Sequence, residues 1–283
     1  IPPHINQSNL HYTVLENNQL LTGLDALKFV GEDAILDILE KRPFNSFFEF
    51  MVKVDSRKVR STAIQALASS GALDCFGISR KKIYLYCSDY RKKLQVWLKK
   101  HDPNKETFNY PFPEEQEWSI SELYALESHY LGESFICKPS IAYNKFFDQP
   151  HLTIKLINKL ADRSYVDNFY GIVRDFVELK IKKETSKYYG QTMVKCIVED
   201  KDGDRISVTI FPDKLEKLNK RIKMFYNKQS FDVGLAMHFS GTTNLYEDNI
   251  GIIFNDLYNC KPMPSLPQDL KAKKVALKIS KEN

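Results

Sequence analysis

The chain has 283 residues, 41 of them Lys or Arg and 36 Asp or Glu, a formal charge of +5 and a hydrophobic share of 43%. That length allows two domains or three, and the hydrophobic share is that of an ordinary globular protein. No apolar run is long enough to span a bilayer as a helix, so no membrane partner is expected.

Cys75, Cys87, Cys137, Cys196 and Cys260 are widely scattered, odd in number and without a Cys-x-x-Cys pair. This argues for a reducing, cytoplasmic setting and against a zinc site or a disulfide framework. The six His residues have no ligand spacing either. The first residue is Ile1 and not Met, so the expectation is a piece or a processed product of something longer.

Residues 1–22 read as the end of a preceding domain, with a hairpin turning at Asn17–Asn18. Residues 23–100 read as helical. Leu24, Leu27 and Val30, then Ala34, Ile35, Ile38 and Leu39, follow the helical period on both sides of a tight hairpin at Phe29-Val30-Gly31. Gly31 permits a positive-φ turn, and Glu32 and Asp33 suit a helix start. The amides left unpaired at such a start can hold a phosphate without reading a base. Lys28, Phe29, Val30 and Gly31 are therefore candidate DNA contacts, supported by the basic cluster Arg57, Lys58 and Arg60. Thr62–Ser69 is a helix closed at Ser70-Gly71, and Ser79 caps the next one, from Arg80 to about Lys100. This makes a second helix-hairpin-helix unit, with Ser70, Gly71, Arg80 and Lys81 as its candidate contacts.

Residues 101–164 read as a connector with helices, broken first by Asp102-Pro and Tyr110-Pro-Phe-Pro. From 165 to 260 the period becomes two. Strands are predicted at Phe169–Ile181 (with a bulge at Gly171), Thr192–Val198, Arg205–Phe211, Phe231–Phe239 and Gly251–Leu257, with a helix from Pro212 to about Met224 after the third. Three strands, a helix and two strands is the OB order. The predicted fold is therefore α+β: a tandem helix-hairpin-helix domain followed by a five-stranded OB-fold barrel. An OB barrel holds single strands across its second and third strands and between two loops. The candidates there are Lys182, Lys183, Lys187, Tyr188 and Tyr189 in the first loop, Lys195 and Arg205 on the strands, and Tyr246 in a second loop spanning Ser240–Asn249. Residues 261–283 read as a basic tail.

Asp200-Lys-Asp-Gly-Asp204 is the one segment that could suggest a metal site. It lies between two alternating strands, where Asp-Gly signals a hairpin turn, and a calcium loop would need a following helix and a later Glu. No catalytic residue, metal ligand or cofactor is expected in this chain.

Several short segments resemble, in order, the region after the catalytic core of bacterial C-family replicative DNA polymerases, the polymerase III alpha type. They are Ile5-Asn-Gln-Ser8, Gly23-Leu-Asp-Ala-Leu-Lys-Phe-Val-Gly31, Pro43-Phe-Asn-Ser-Phe-Phe-Glu-Phe50, Val54-Asp-Ser-Arg57 and Ser70-Gly-Ala-Leu-Asp-Cys-Phe-Gly77. Glu122–Gly132 adds a weaker match. The resemblance implies that residues 1–22 end a fingers region and that the chain holds duplex DNA and single-stranded template. It also implies that synthesis, with Mg2+, belongs to a palm domain elsewhere in the parent polymerase. A sliding clamp is a further candidate partner, with Gln95–Leu98 and Thr107–Tyr110 as loose echoes of a docking peptide. The family carries Gly where this chain has Phe29, a residue that tolerates fewer backbone conformations; a phage-encoded or divergent member would fit. The alternatives are a free-standing single-stranded nucleic-acid-binding module and an OB-fold protein-interaction adaptor.

Overall fold

A computed structural model describes residues 1–143, 146–226, 231–247 and 249–267. They form two compact units, one of residues 1–136 with the segment from 265, the other of residues 137–264.

The first unit opens with a short antiparallel ladder, β1 (Thr13–Val14) and β2 (Leu20–Leu21), whose turn holds Asn18 at φ 59°. A single 3-10 turn follows at Leu24–Ala26, then α1 (Glu32–Lys41), α2 (Phe47–Lys53), α3 (Ser61–Ser69), a 3-10 turn at Asp74–Phe76, α4 (Arg80–Trp97) and α5 (Ile120–Leu131). Serines start three of these helices. Ser46 and Ser79 accept from the amides of Glu49 and Lys82, and Ser119 forms a reciprocal capping box with Glu122. Leu24, Ile35, Ile38, Ile64 and Leu67, all fully buried, meet in one core, but the segment before the first hairpin, read as a helix from Leu24, Leu27 and Val30, forms only the 3-10 turn, because Leu27 is already extended. Residues 101–118 break helical periodicity as expected. Their aromatics are nevertheless packed: Phe108 and Tyr110 lie 5.3 Å and 5.0 Å from the ring of Tyr90, and the Tyr110 hydroxyl donates to Asp89 at 2.6 Å.

A buried ion pair ties this unit together. The Arg80 guanidinium donates to Glu127 at 2.6 Å and to Asp74 at 2.7 Å. Glu127 is fully buried and also accepts from Ser134 Oγ and the amides of Phe135 and Ile136.

The second unit begins with two single-turn helices, α6 (Pro139–Ala142) and α7 (Ile154–Ile157). The barrel follows: β3 (Tyr165–Lys180), β4 (Thr192–Glu199), β5 (Arg205–Ile210), α8 (Pro212–Tyr226), β6 (Ala236–Tyr246) and β7 (Asn249–Lys261). The strands close in the order β3-β4-β5-β7-β6, antiparallel except for β5–β7. This is the OB-like order expected, and the fold is α+β. Val194, Cys196 and Val198 alternate inward on β4, and Ile206, Val208 and Ile210 on β5. Leu218 and Ile222 of α8 are buried with them.

Two strand readings need correction. Gly171 is not a bulge, since the irregularities of β3 lie at Val166–Phe169 and Val173–Asp175. A Cβ at 171 would instead collide with Val198. The fourth strand, predicted at Phe231–Phe239, begins only at Ala236 because Gly234, at φ 84°, turns the chain just before it. It then runs through Gly241, where a Cβ would strike Ile252, so the predicted loop 240–249 is mostly strand. Asp200 behaves as read: its carboxylate accepts from the amides of Asp202 and Asp204 at 3.0 and 3.1 Å and closes a hairpin turn. The basic tail lies outside the described residues from 268 on.

Removing Arg80 would strand the buried Glu127 charge. Arg80→Met is expected to destabilise the helical unit by about 3–5 kcal/mol. Both tryptophans, Trp97 and Trp118, lie in this unit, so urea unfolding followed by tryptophan fluorescence reads the loss directly.

Candidate nucleic-acid interface

The first hairpin is open. Val30 donates its amide to Leu27, and Lys28 donates to the Tyr130 carbonyl at 2.9 Å. The positive φ belongs to Phe29, at 71°, and not to Gly31, which is extended at φ −75°. The sequence reading of Gly31 as the left-handed residue is therefore wrong. The chain has already reversed at Phe29, so α1 starts from an ordinary extended residue. Phe29 is held in this costly conformation by its ring, which stacks on His129 at 6.1 Å and meets Tyr130 edge-on at 5.8 Å. It remains 63% exposed. Val30 is buried in the core and can only support its neighbours.

Among the described residues, the amides of Gly31, Glu32 and Asp33 have no protein acceptor. These three residues, in the first turn of α1, line one open groove with Phe29, Arg57, Lys58 and Arg60. Exposed Lys28 is adjacent in sequence. Buried Asp37 holds two of the lining residues, accepting from the Asp55 amide at 2.8 Å and lying 3.9 Å from Lys58, and also accepts from Lys41 at 2.7 Å. The Arg57 amide, with its guanidinium, holds the Asp55 carboxyl below its ordinary range. Glu32, Asp33 and Asp55 offset the three cations of this groove. Any grip on phosphate must therefore be short-range, through amides and direct contacts, and not a broad positive field.

The second hairpin is closed. Ser70 is fully buried and donates to the Leu67 carbonyl. Gly71 is truly left-handed, at φ 83°, and a Cβ there would strike the Arg80 guanidinium. The first amides of α4, those of Arg80 and Lys81, already donate to the Glu117 carboxylate at 2.7 and 3.1 Å. Lys81 pairs with Glu115 at 3.2 Å. Ser70, Gly71, Arg80 and Lys81, expected as DNA contacts, are thus taken up by the fold, and a carboxylate of this chain sits where a phosphate would go.

On the barrel, Lys195 and Met193 of β4, Ser207 and Thr209 of β5, Tyr246 and Ile250 line one open groove. Lys195 is exposed and Tyr246 is 66% exposed. Met193, Ser207 and Thr209 escaped the sequence reading. They could have been found as the outward partners of the inward alternation on β4 and β5. Arg205 is not free for a ligand: with Arg174 it pairs the largely buried Glu199, at 2.9 and 2.7 Å. In the first loop Lys182, Lys183 and Tyr189 are exposed. Tyr188 is committed, stacked on Phe211 at 5.7 Å and donating to Asp213 at 2.7 Å, with Lys187 over its ring at 4.5 Å.

A helix-hairpin-helix motif model matches residues 1–83, the stretch that contains the open hairpin and most of the closed one. The chain is also 28% identical over 265 residues, 90% of its length, to DNA polymerase III subunit alpha of Bacillus subtilis. It is 24% identical over 76% of its length to the same subunit of Pseudomonas aeruginosa, and 26% over 79% to that of Aquifex aeolicus. This chain is related to the DNA polymerase III alpha subunit. It spans about a fifth of the length of these curated relatives, at 22%, 19% and 18%, and fits the C-terminal portion of an alpha subunit. The resemblance noted in the sequence thus extends over most of the chain. Among the described residues no helix is long and apolar enough to cross a membrane.

The alpha-subunit position that is Gly by resemblance and Phe29 here should betray its strain. Phe29→Ile is expected to lower stability by about 1–2 kcal/mol, because a β-branched residue suits positive φ least. Phe29→Gly, which relieves the positive φ but gives up the same ring contacts, is expected to cost less than Phe29→Ile, and urea unfolding compares the two.

Proposed function

We propose that this chain is the nucleic-acid-holding part of a replicative DNA polymerase. In this reading the first hairpin grips the duplex backbone, and the barrel holds single-stranded template. The observation that carries the reading is the set of unpaired amides at Gly31, Glu32 and Asp33 beside Arg57, Lys58 and Arg60. Helix-start amides suit phosphate oxygens without reading sequence. The groove of Lys195 and Tyr246 supports the single-strand role, since a lysine tracks phosphate and an exposed ring stacks a base. Loop residues Lys182, Lys183 and Tyr189 extend it.

Bond-making belongs, in this reading, to a palm domain of the parent polymerase, which would use Mg2+. The parent would act in the cytoplasm. Docking on a sliding clamp gains no support from the two segments that suggested it: Gln95–Leu98 falls at the end of α4, where Trp97 stacks on His101 at 4.7 Å, and Phe108 and Tyr110 pack on Tyr90.

Fluorescence anisotropy with labelled duplex and single-stranded oligonucleotides tests both roles. Arg57→Glu with Arg60→Glu is expected to weaken duplex binding and flatten its salt dependence by about two units of log–log slope. Tyr246→Ala is expected to cost single-strand binding about 1–3 kcal/mol and leave duplex binding alone. Absence of binding to either oligonucleotide at low salt would refute the reading.

A further inference from the structure

A second groove of the barrel unit lies between α8 and the outer surface of β3, β6 and β7. Lys214, Lys217, Lys220 and Arg221 line it from the helix, and Tyr165 and Tyr258 from the sheet. Lys214, Lys217 and Arg221 recur every three or four residues, so they share one flank of α8 beside the buried pair Leu218 and Ile222. Lys220 pairs with Glu216 at 2.6 Å and Arg221 with Asp256 at 3.1 Å. Among the described residues no carboxylate pairs with Lys214 or Lys217.

Across the groove Tyr165 is 61% exposed and Tyr258 41%. Their hydroxyls lie 3.4 Å apart, and Tyr258 donates to Asp167 at 2.8 Å. His238 meets the Tyr258 ring edge-on at 5.0 Å. The two rings are thus held by their polar ends and leave apolar surface open beside a row of lysines.

We propose that this groove is a second binding site for single-stranded nucleic acid, with phosphates along Lys214, Lys217 and Lys220 and bases against Tyr165 and Tyr258. Each ring offers a sequence-tolerant platform, which a duplex backbone would leave unused. The lysine row spans about 9 Å of helix, more than a single small anion needs. An acidic peptide would use the lysines but not the rings. The site is distinct from the groove at Lys195 and Tyr246: no residue lines both, and the nearest along β7, Ile252 there and Asn255 here, are about 10 Å apart. It therefore stands whether or not the Lys195 groove binds nucleic acid.

The 283-residue chain is titrated onto labelled oligodeoxythymidylate of about 30 nucleotides, longer than the roughly 4–16 that one OB fold covers. Lys214→Glu with Lys217→Glu is expected to weaken binding about tenfold and to reduce the log–log salt slope by about 1–2. Lys214→Gln with Lys217→Gln should do the same to a smaller extent, and Tyr165→Ala should weaken binding at least fivefold. Unchanged thermal unfolding of the variants shows that the losses are local. The same losses on a Lys195→Glu background support an independent site. Wild-type affinity and slope in both lysine pairs would overturn the proposal. So would a polyglutamate peptide that binds this face as tightly and ignores Tyr165→Ala, since that outcome assigns the groove to an acidic protein.

Discussion

The contact between Arg80 and Glu127 sets what the helical unit can present. It joins residues 47 positions apart at 2.6 Å, out of water, where neither charge would be tolerated alone. Arg80 fills the space under Gly71 and holds Asp74, so the second hairpin is fixed from within. Glu127 in turn binds the amides just past α5, which fixes that helix. The end of α5 then anchors the first hairpin through the Tyr130 carbonyl and the rings of His129 and Tyr130. One ion pair therefore seals one hairpin and aims the other.

The two hairpins share a motif and differ in chemistry. In both, a helix start offers amides with no partner inside the helix. At α4 the fold answers with Glu117. At α1 it leaves them bare, beside cations that are spent partly on Asp55 and Asp37. A strained, exposed Phe29 marks the open one. Strain of that kind persists only when its surroundings over-determine it, and the stack on His129 and Tyr130 supplies the determination. A motif match over residues 1–83 cannot by itself say that only one of two hairpins is available.

The sequence made the barrel legible because its strands alternate cleanly: Val194, Cys196 and Val198 point in, and Lys195 points out. Helices α1 and α3 were legible from their apolar period and α4 from its Ser79 cap, whereas nothing in the sequence reading marked α2 or its Ser46 cap. What else escaped were facts that depend on a distant partner. Arg80 looks like any surface arginine until Glu127 arrives from α5. Tyr188 looks like a stacking residue until Phe211 and Asp213 cover it. Gly31 reads as the left-handed residue, yet the positive φ falls two residues earlier, at Phe29, where the ring contacts hold it. The start of β6 was missed because Gly234 ends a turn there, and Gly241, which looks like a breaker, is a point of close approach to Ile252.

The claim that one hairpin is open and the other sealed can be read from two glycines. The chain contains 11 glycines, few enough to resolve in a spectrum of protein labelled with nitrogen-15 at glycine alone. On titration with a short duplex, the Gly31 amide should shift progressively and saturate while the Gly71 amide stays in place. A moving Gly71 with a static Gly31, or two static amides at saturating duplex, would contradict it.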